Sequence, residues 1–153
     1  MNTIQKTKQL MFSYGMNTNL AQMARRCPQA TSLGAGVLPG FRFEFKQFAT
    51  VVPDVTQDTM GVVWEISDDC EAALDILEGF PVYYTKKLVT VLIDGIPHTA
   101  ITYLMYPDEP LGLPSNSYYN LVADGYEDHG ISLAQLNLAI DRVEEQYLTI
   151  EAV

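Results

Sequence analysis

Leu74-Asp75-Ile76-Leu77-Glu78-Gly79-Phe80 is the stretch of this 153-residue sequence from which the rest can be interpreted. An apolar stripe that includes Leu74 and Leu77 has the spacing of one helix face. Gly79 follows the last acidic residue, and glycine is the residue that most often ends a helix. The stretch therefore predicts an amphipathic helix that ends at Glu78, before an aromatic turn that contains a proline.

Glu78 is the candidate catalytic residue. It lies at the border of the apolar stripe and at the C-terminus of a helix that a capping-box-like pair, Asp68 and Glu71, would begin. The negative end of the helix dipole and partial burial would both raise the pKa of its carboxyl group. A raised pKa suits a group that must both take and give a proton. The alternative is a solvated glutamate before a helix-ending glycine.

A second candidate site lies near the N-terminus. Residues 9–14 are predicted to form a buried strand that ends at Gly15, and a helix follows it. Asn17 or Thr18 would cap this helix, and Pro28 would stop it. The N–H groups of a glycine turn and a helix N-terminus are unpaired, so they can bind a carboxylate or an oxyanion. A capped turn without a ligand is the alternative.

Most of the remaining sequence predicts strands. Phe41-Arg42-Phe43-Glu44-Phe45 alternates strictly, which places the three phenylalanines on one side of a strand. Asp94-Gly95 is a strong hairpin signal. Further strands are predicted at 48–52, 61–66, 84–92 and 96–106, with turns at 34–40 and a polar loop that begins at Pro53.

Two helices are predicted in the last third of the chain. A short one lies within 115–125, and Ser132 with Gln135 begins a longer amphipathic one. Its apolar positions are Leu136, Ala139, Ile140, Val143 and Tyr147. Many connections are short, which favours antiparallel pairing. The predicted fold class is α+β: a small mixed, mostly antiparallel β-barrel flanked by helices, in a single domain over residues 1–153.

The composition narrows the range of partners. The formal net charge is −10 and no basic run offsets it, so nucleic acid and anionic membranes would be repelled. No apolar run approaches a transmembrane length, and the N-terminus lacks the apolar stretch of a signal peptide. Cys27 and Cys70 lie far apart in no paired motif, which is typical of a reducing compartment. We expect a cytoplasmic protein that is a monomer or a weak homodimer.

The sequence lacks the residue patterns that several common catalytic mechanisms require. Neither His98 nor His129 has the neighbours of a zinc site, and no metal ligands are predicted. The sequence contains no phosphate-binding loop and no Gly-x-Ser-x-Gly elbow. A lone carboxylate, a possible N–H cradle and several tyrosines remain. This set fits proton transfer without a cofactor.

A series of short motifs resembles the gamma-glutamyl cyclotransferase family. Tyr14-Gly15-Met16-Asn17 is similar to the Tyr-Gly-Ser-Asn loop of that family, and Glu78-Gly79 to the segment that carries its catalytic acid. The other similar segments are Gln22-Met23, Arg26-Cys27-Pro28 with Ala30, Leu38-Pro39-Gly40-Phe41-Arg42, Gly61-Val62-Val63-Trp64, Leu74-Asp75, Tyr83-Tyr84, Pro114-Ser115 with Tyr118, Gly125 and Gly130. The resemblance extends over roughly residues 10–145, and its specificity lies in the order and spacing of the motifs.

The resemblance implies a small mixed β-barrel and cleavage of γ-glutamyl compounds without a cofactor. The α-amine of the substrate would attack its own γ-carbonyl, release an amino acid or amine, and leave 5-oxoproline. Glu78 would act as general acid and base. The N–H groups of Gly15, Met16 and Asn17 would hold a carboxylate or the developing oxyanion. Tyr14, Tyr84 and Tyr118 would line the pocket or position Glu78, with core packing as their alternative role.

Two residues depart from the family pattern. Met16 replaces the usual serine, which preserves a role of the backbone N–H but not of a side-chain hydroxyl. Lys86 stands where many relatives carry arginine, so the charge is kept but the planar fork is lost. Substrate anchoring is therefore open.

Two other functions are consistent with the same residues. The fold could serve as a non-catalytic module that binds a small ligand or a protein in the same pocket. It could also be purely structural, with Glu78 exposed and replaceable at under about 0.5 kcal/mol.

Overall fold

The computed structural model describes residues 8–151, and side chains up to residue 148. The strands are β1 (Gln9–Ser13), β2 (Thr31–Lys46), β3 (Phe48–Ile66), β4 (Tyr84–Ile93) and β5 (Ile96–Met105). The helices are α1 (Leu20–Arg26), α2 (Asp68–Glu78), α3 (Asn116–Asp128) and α4 (Ala134–Glu151), and a 3-10 turn (Met16–Thr18) precedes α1.

The five strands close into a barrel in the order β1-β3-β2-β4-β5. β3 pairs antiparallel with both β1 and β2, and β4 with β5. β1 closes the barrel by running parallel to β5, with Met11 opposite Ile101. The prediction of a mixed, mostly antiparallel barrel flanked by helices is confirmed. The hairpin at Asp94-Gly95 is confirmed as well, since both residues adopt positive φ between β4 and β5.

The two longest strands are a difference from the sequence prediction. The turns expected at 34–40 and the loop expected at Pro53 both lie inside continuous strands. The register of β2 against β3 shifts between Ser32 and Gly34 and again between Pro39 and Phe41. These irregularities use the local turn residues to bend a strand without ending it, because antiparallel pairing continues on both sides.

The core fills the barrel and the space beneath the helices. Phe43 and Phe45 are buried, with ring centroids 5.0 Å apart and edge-to-face, while Phe41 is half-buried against the same cluster. From α4, Leu136, Ala139 and Val143 are buried. Tyr147 was expected on that face but is 52% exposed, so the buried stripe of α4 ends earlier than predicted.

Helix capping differs from the prediction by one or two residues. Asn19, rather than Asn17 or Thr18, caps α1 by accepting from the N–H of Gln22 at 3.0 Å. Ser67 caps α2 in the same way, one residue before the expected Asp68. Both caps use a short polar side chain to satisfy an otherwise unpaired N–H.

Cys27 and Cys70 form a disulfide, with Cα atoms 5.3 Å apart. The expectation of unpaired cysteines is therefore wrong, because the end of α1 lies against the start of α2 although 43 residues separate the two positions. The two cysteines therefore give no support to a reducing compartment. Within residues 8–151, no helix is long and apolar enough to cross a membrane.

Gly125 allows α3 to lie directly on the segment before α1. A Cβ atom at this position would be 2.2 Å from Oγ1 of Thr18 and 2.6 Å from the backbone nitrogen of Asn19. Thr18 and Asn19 are themselves buried, so neither can move aside into solvent. The close approach fixes the 3-10 turn against α3.

We predict that Gly125→Ala destabilises the protein by about 1–3 kcal/mol through overpacking, although alanine is the better helix former. Urea unfolding measures the change. Asp124→Ala, at the exposed neighbouring position of α3, is the control and should stay within about 0.5 kcal/mol of wild type. A Gly125→Ala variant as stable as wild type would show that the contact is not tight.

Candidate active site

A cleft of about 650 Å³ opens at the end of the barrel where β1 and β5 finish and β4 begins. The volume lies within the range usual for small-molecule sites. All the residues predicted for the site line this cleft: Tyr14, Gly15, Met16, Asn17, Glu78, Tyr84 and Tyr118. They come from the two residues after β1, the 3-10 turn, α2, β4 and α3, so the fold brings together residues that are far apart in sequence.

Glu78 is half-buried at the last position of α2. Its Oε1 accepts a hydrogen bond of 3.1 Å from Nδ2 of Asn17. Oδ1 of Asn17 in turn accepts from Nη1 of Arg26 at 2.7 Å, which fixes the orientation of the amide. Burial raises the pKa of Glu78, and the positive charge of Arg26 and the bond from Asn17 only partly oppose this rise. The site thus holds a carboxyl group that binds a proton more tightly than an exposed glutamate does.

The end of α2 directs Glu78 into the cleft. Gly79 has φ of 64°, and the N–H of Phe80 returns to the carbonyl of Asp75 at 2.9 Å. A Cβ atom on Gly79 would lie 2.4 Å from the ring of Tyr83, so the turn has no space for a larger residue. The sequence predicted this ending correctly.

Lys86 does not line the cleft and instead forms ion pairs with two carboxylates of α2. Its Nζ lies 2.7 Å from Oε2 of Glu71 and 3.0 Å from Oδ1 of Asp75. The hydroxyl of Tyr103 also donates to Asp75, at 2.6 Å. Burial lowers the pKa of Lys86, but the two carboxylates outweigh it and raise the pKa overall. Lys86 therefore fastens α2 to β4 and β5, and this position is not the one expected of a substrate anchor.

The segment before α1 is rigid because its polar groups form hydrogen bonds both within the turn and with β3. The carbonyl of Asn17 accepts from Nε1 of Trp64 at 2.8 Å, and Oγ1 of Thr18 donates to the carbonyl of Gly15 at 2.7 Å. The turn itself uses the N–H groups of Thr18 and Asn19, and not those of Gly15, Met16 or Asn17. The three predicted N–H donors thus lie outside the hydrogen bonds of the turn.

Gly15 leaves space that another residue would fill. A Cβ atom there would lie 3.0 Å from Cβ of Ala49 and 3.1 Å from the hydroxyl oxygen of Tyr118. The glycine therefore brings the backbone of the turn close to Tyr118. The N–H groups of Ala49, at 3.1 Å, and of Met16 both face this hydroxyl.

The three predicted tyrosines differ in what their hydroxyl groups do. Tyr14 donates to the carbonyl of Tyr103, and Tyr84 donates to the carbonyl of Ala49 at 2.9 Å. Tyr118 instead accepts from N–H groups, and among the residues described no acceptor is bonded to its own proton. Of the three predicted tyrosines, Tyr118 is therefore the one whose O–H can turn toward a ligand.

Burial keeps these phenols protonated. It raises the pKa of Tyr118 to about 12 and raises those of Tyr14 and Tyr84 further. The negative charge of Glu78 also contributes to the rise in each of the three, which shows that all three hydroxyls lie within its field. At neutral pH these three phenols are therefore uncharged neighbours of the Glu78 carboxyl group.

Several residues that shape the site have no role predicted from the sequence. Arg26, Lys46, Ala49 and Tyr103 line the cleft, but each resembles an ordinary strand or helix residue in the sequence. Arg26 is nine positions after Asn17 across a cap and a short helix, a spacing with no regular period that could have revealed it. In the part of the chain that is described, no three His, Cys, Asp or Glu side chains are grouped so that they could hold a metal ion.

A family model described as "Gamma-glutamyl cyclotransferase, AIG2-like" matches residues 11–121, which is most of the chain and includes every residue of the predicted site. The chain belongs to this family. A search of curated proteins finds no match to it. The family membership agrees with the resemblance drawn from the short motifs and supports a cyclotransferase at a coarse level.

Several solved structures have the same fold. A protein named "Gamma-glutamyl cyclotransferase" superposes with a TM-score of 0.79 at 25% identity, over 86% of each chain. An uncharacterized protein from Homo sapiens has the same TM-score and identity, over 88% of this chain and 87% of its own. YkqA from Bacillus subtilis is 21% identical with a TM-score of 0.77, and the match covers 91% of this chain and 55% of that one.

We predict that Asn17→Ala raises the pKa of Glu78 further, because the variant loses a hydrogen-bond donor that favours the ionised carboxylate. An NMR titration of the Glu78 side-chain carboxyl carbon measures the shift. Asn120→Ala, at an exposed position of α3, is the control and should leave the titration unchanged. A pKa that stays the same or falls in Asn17→Ala would contradict the assigned role of Asn17.

Proposed function

We propose that this protein is a cofactor-independent γ-glutamyl cyclotransferase that converts γ-glutamyl amino acids or γ-glutamyl amines to 5-oxoproline and the free amine. The observation that carries the proposal is the half-buried Glu78, which has a raised pKa, lies in a small-molecule cleft and is held by the asparagine of the Tyr-Gly-x-Asn segment. Family membership and a similar structure named for this activity support it.

The proposed reaction needs one group that moves a proton twice. Ionised Glu78 takes a proton from the α-ammonium of the substrate, and the freed amine attacks the γ-carbonyl carbon to form a five-membered ring. Glu78 then gives this proton to the leaving nitrogen as the original amide bond breaks, and the second proton that the ring nitrogen must lose passes to the released amine, which departs as an ammonium ion. No external nucleophile is required, because the attacking amine is already part of the same molecule.

The charges around Glu78 suit both steps. Arg26 and Asn17 favour the ionised form, which must be present before the attack, while burial favours the protonated form, which must be present before the amine leaves. Burial prevails, so the pKa of the carboxyl group stays raised, while Arg26 and Asn17 limit the rise. This balance supports Glu78 as a shuttle rather than as a fixed counter-charge.

The developing oxyanion needs donors that do not have to reorganise. The N–H groups of Gly15 and Asn17 lie on a rigid turn beside the O–H of Tyr118, and the N–H of Met16 donates to the Tyr118 oxygen and so acts through that hydroxyl. We assign these donors to the oxyanion or to the α-carboxylate of the substrate. Tyr14 and Tyr84 serve a different role, since both of their hydroxyls are bonded to backbone carbonyls and fix the walls of the cleft.

We predict that Glu78→Gln lowers the turnover of γ-glutamyl substrates by about 10²–10⁴-fold, because glutamine keeps the shape of the side chain but cannot transfer a proton. Release of 5-oxoproline from a panel of γ-glutamyl amino acids and γ-glutamyl amines measures the effect. Asp68→Asn removes an exposed carboxylate from the other end of α2 and should retain wild-type turnover.

Glu78→Gln turning over a substrate as fast as wild type would show that the assigned acid and base is wrong. If the folded wild-type protein releases no 5-oxoproline but panel members raise its melting temperature, the chain is a binding module instead.

We predict that the same variant also changes how stability depends on pH. Because the folded-state pKa of Glu78 is raised, the carboxyl group stabilises the fold most below its unfolded pKa of about 4.3, and this contribution is lost as pH rises through the folded pKa. Glutamine does not titrate, so Glu78→Gln should gain stability relative to wild type between pH 4 and pH 7. Urea unfolding at a series of pH values, with Asp68→Asn as the control, measures this. A difference that does not change with pH would contradict the raised pKa.

A further inference from the structure

Lys46 is a buried cation that has no carboxylate partner. It is the last residue of β2 and only 8% exposed. Its Nζ donates to the carbonyl of Pro107 at 3.2 Å. Among the described residues, no carboxylate oxygen lies within 4.0 Å of this nitrogen to form an ion pair. This neutral carbonyl pairs with one of the three N–H donors of the ammonium group and supplies no negative charge to balance it.

The position of Lys46 is fixed by the loop that follows β5. The N–H of Gln47 donates to the carbonyl of Gly112 and the N–H of Gly112 to the carbonyl of Phe45, both at 3.0 Å. These bonds hold the end of the β2–β3 hairpin against the loop. Buried cations are normally paired, and an unpaired one is costly. Since Lys46 lines the cleft, an anion bound there could supply the missing partner.

Lys46 and Arg26 have different partners in the cleft. Arg26 is bonded to Asn17 and its charge acts on Glu78, so it belongs to the residues proposed for proton transfer. Lys46 lies at the end of the β2–β3 hairpin and donates to the carbonyl of Pro107. The cleft thus has a second cation that is bound to neither Asn17 nor Glu78.

We propose that Lys46 binds a carboxylate on the leaving group, so that the substrates are γ-glutamyl derivatives of amino acids or peptides rather than of simple alkylamines. This inference rests on the proposed function. In that reaction the glutamyl amine must lie at Glu78 and the glutamyl carboxylate near the Gly15–Asn17 turn. The part of the cleft at Lys46 is therefore left for the group that departs.

Glu109 is the other charged residue in this part of the cleft. It lies on the loop that begins at Pro107, is exposed, and forms no ion pair with Lys46. Its charge is screened by solvent more strongly than that of Lys46, which is only 8% exposed. An anionic leaving group is therefore favoured by the buried cation more than it is opposed by the exposed carboxylate. Glu109→Gln serves as the control for a change of charge in the same cleft.

The test compares substrates that differ only in this carboxylate. Each acid is paired with its neutral amide: γ-glutamylglycine with γ-glutamylglycinamide, and likewise the derivatives of β-alanine and γ-aminobutyrate, which place the carboxylate progressively further out. We expect wild type to prefer at least one acid over its amide by about tenfold or more in kcat/KM, the usual effect of a hydrogen bond to a charged group. Lys46→Met should lower kcat/KM for that acid relative to its amide until the ratio of the two is close to one.

Two further variants separate the possible outcomes. Lys46→Arg keeps the charge and should keep the preference, whereas Glu109→Gln should not reduce it. Equal turnover of acids and amides by wild type, or a preference that persists in Lys46→Met, would overturn the inference while leaving the proposed reaction intact.

If wild type turns over nothing, the proposed function fails, and calorimetric binding of the same pairs then decides on Lys46. Tighter binding of an acid that is lost in Lys46→Met supports the anion site. Equal binding of acid and amide overturns it.

Discussion

The hydrogen-bonded series Arg26–Asn17–Glu78 is the interaction on which the site depends. It joins the end of α1, the turn before it and the end of α2, three segments that have little else in common. Two of them also have other contacts: the turn packs against Gly125 and accepts from Trp64, and α2 is bound by the ion pairs of Lys86. The barrel therefore acts as a frame that brings two helix ends together, and the carboxyl group lies where they meet.

This arrangement explains how an ordinary glutamate acquires unusual acid–base behaviour. Burial alone would neutralise the carboxyl group, and a close ion pair alone would keep it ionised. Here the cation acts through an intervening amide, so its influence on Glu78 is weaker than that of a direct partner, and burial prevails. The tyrosines around it stay neutral and add hydrogen-bond donors without adding charge. The network sets the proton affinity of the carboxyl group with little need for a second titratable residue.

The sequence predicted those parts that local chemistry determines. Gly79 ends α2, Asp94-Gly95 forms a hairpin, and Phe43 and Phe45 enter the core, because each outcome depends on backbone geometry or on alternation within a few residues. Contacts between distant segments were not predictable in this way. The Cys27–Cys70 bond was therefore not expected, and the ion pairs of Lys86 with α2 were not predicted. The capping error is informative: because Asn19 caps α1, the side chain of Asn17 is available to Glu78. The candidate site itself came from family motifs more than from physical patterns.

The disulfide has a topological consequence. It closes a covalent ring that contains the whole of β2 and β3, the longest antiparallel pair of the barrel. That hairpin forms between neighbouring segments, so the ring adds little to it. What the ring does restrict is the freedom of α1 and α2 to separate when the chain is unfolded, and for a loop of 43 residues the chain-entropy model gives about 4 kcal/mol. The covalent link thus acts on the denatured chain and keeps the segments that carry Asn17 and Glu78 close to each other before any barrel exists.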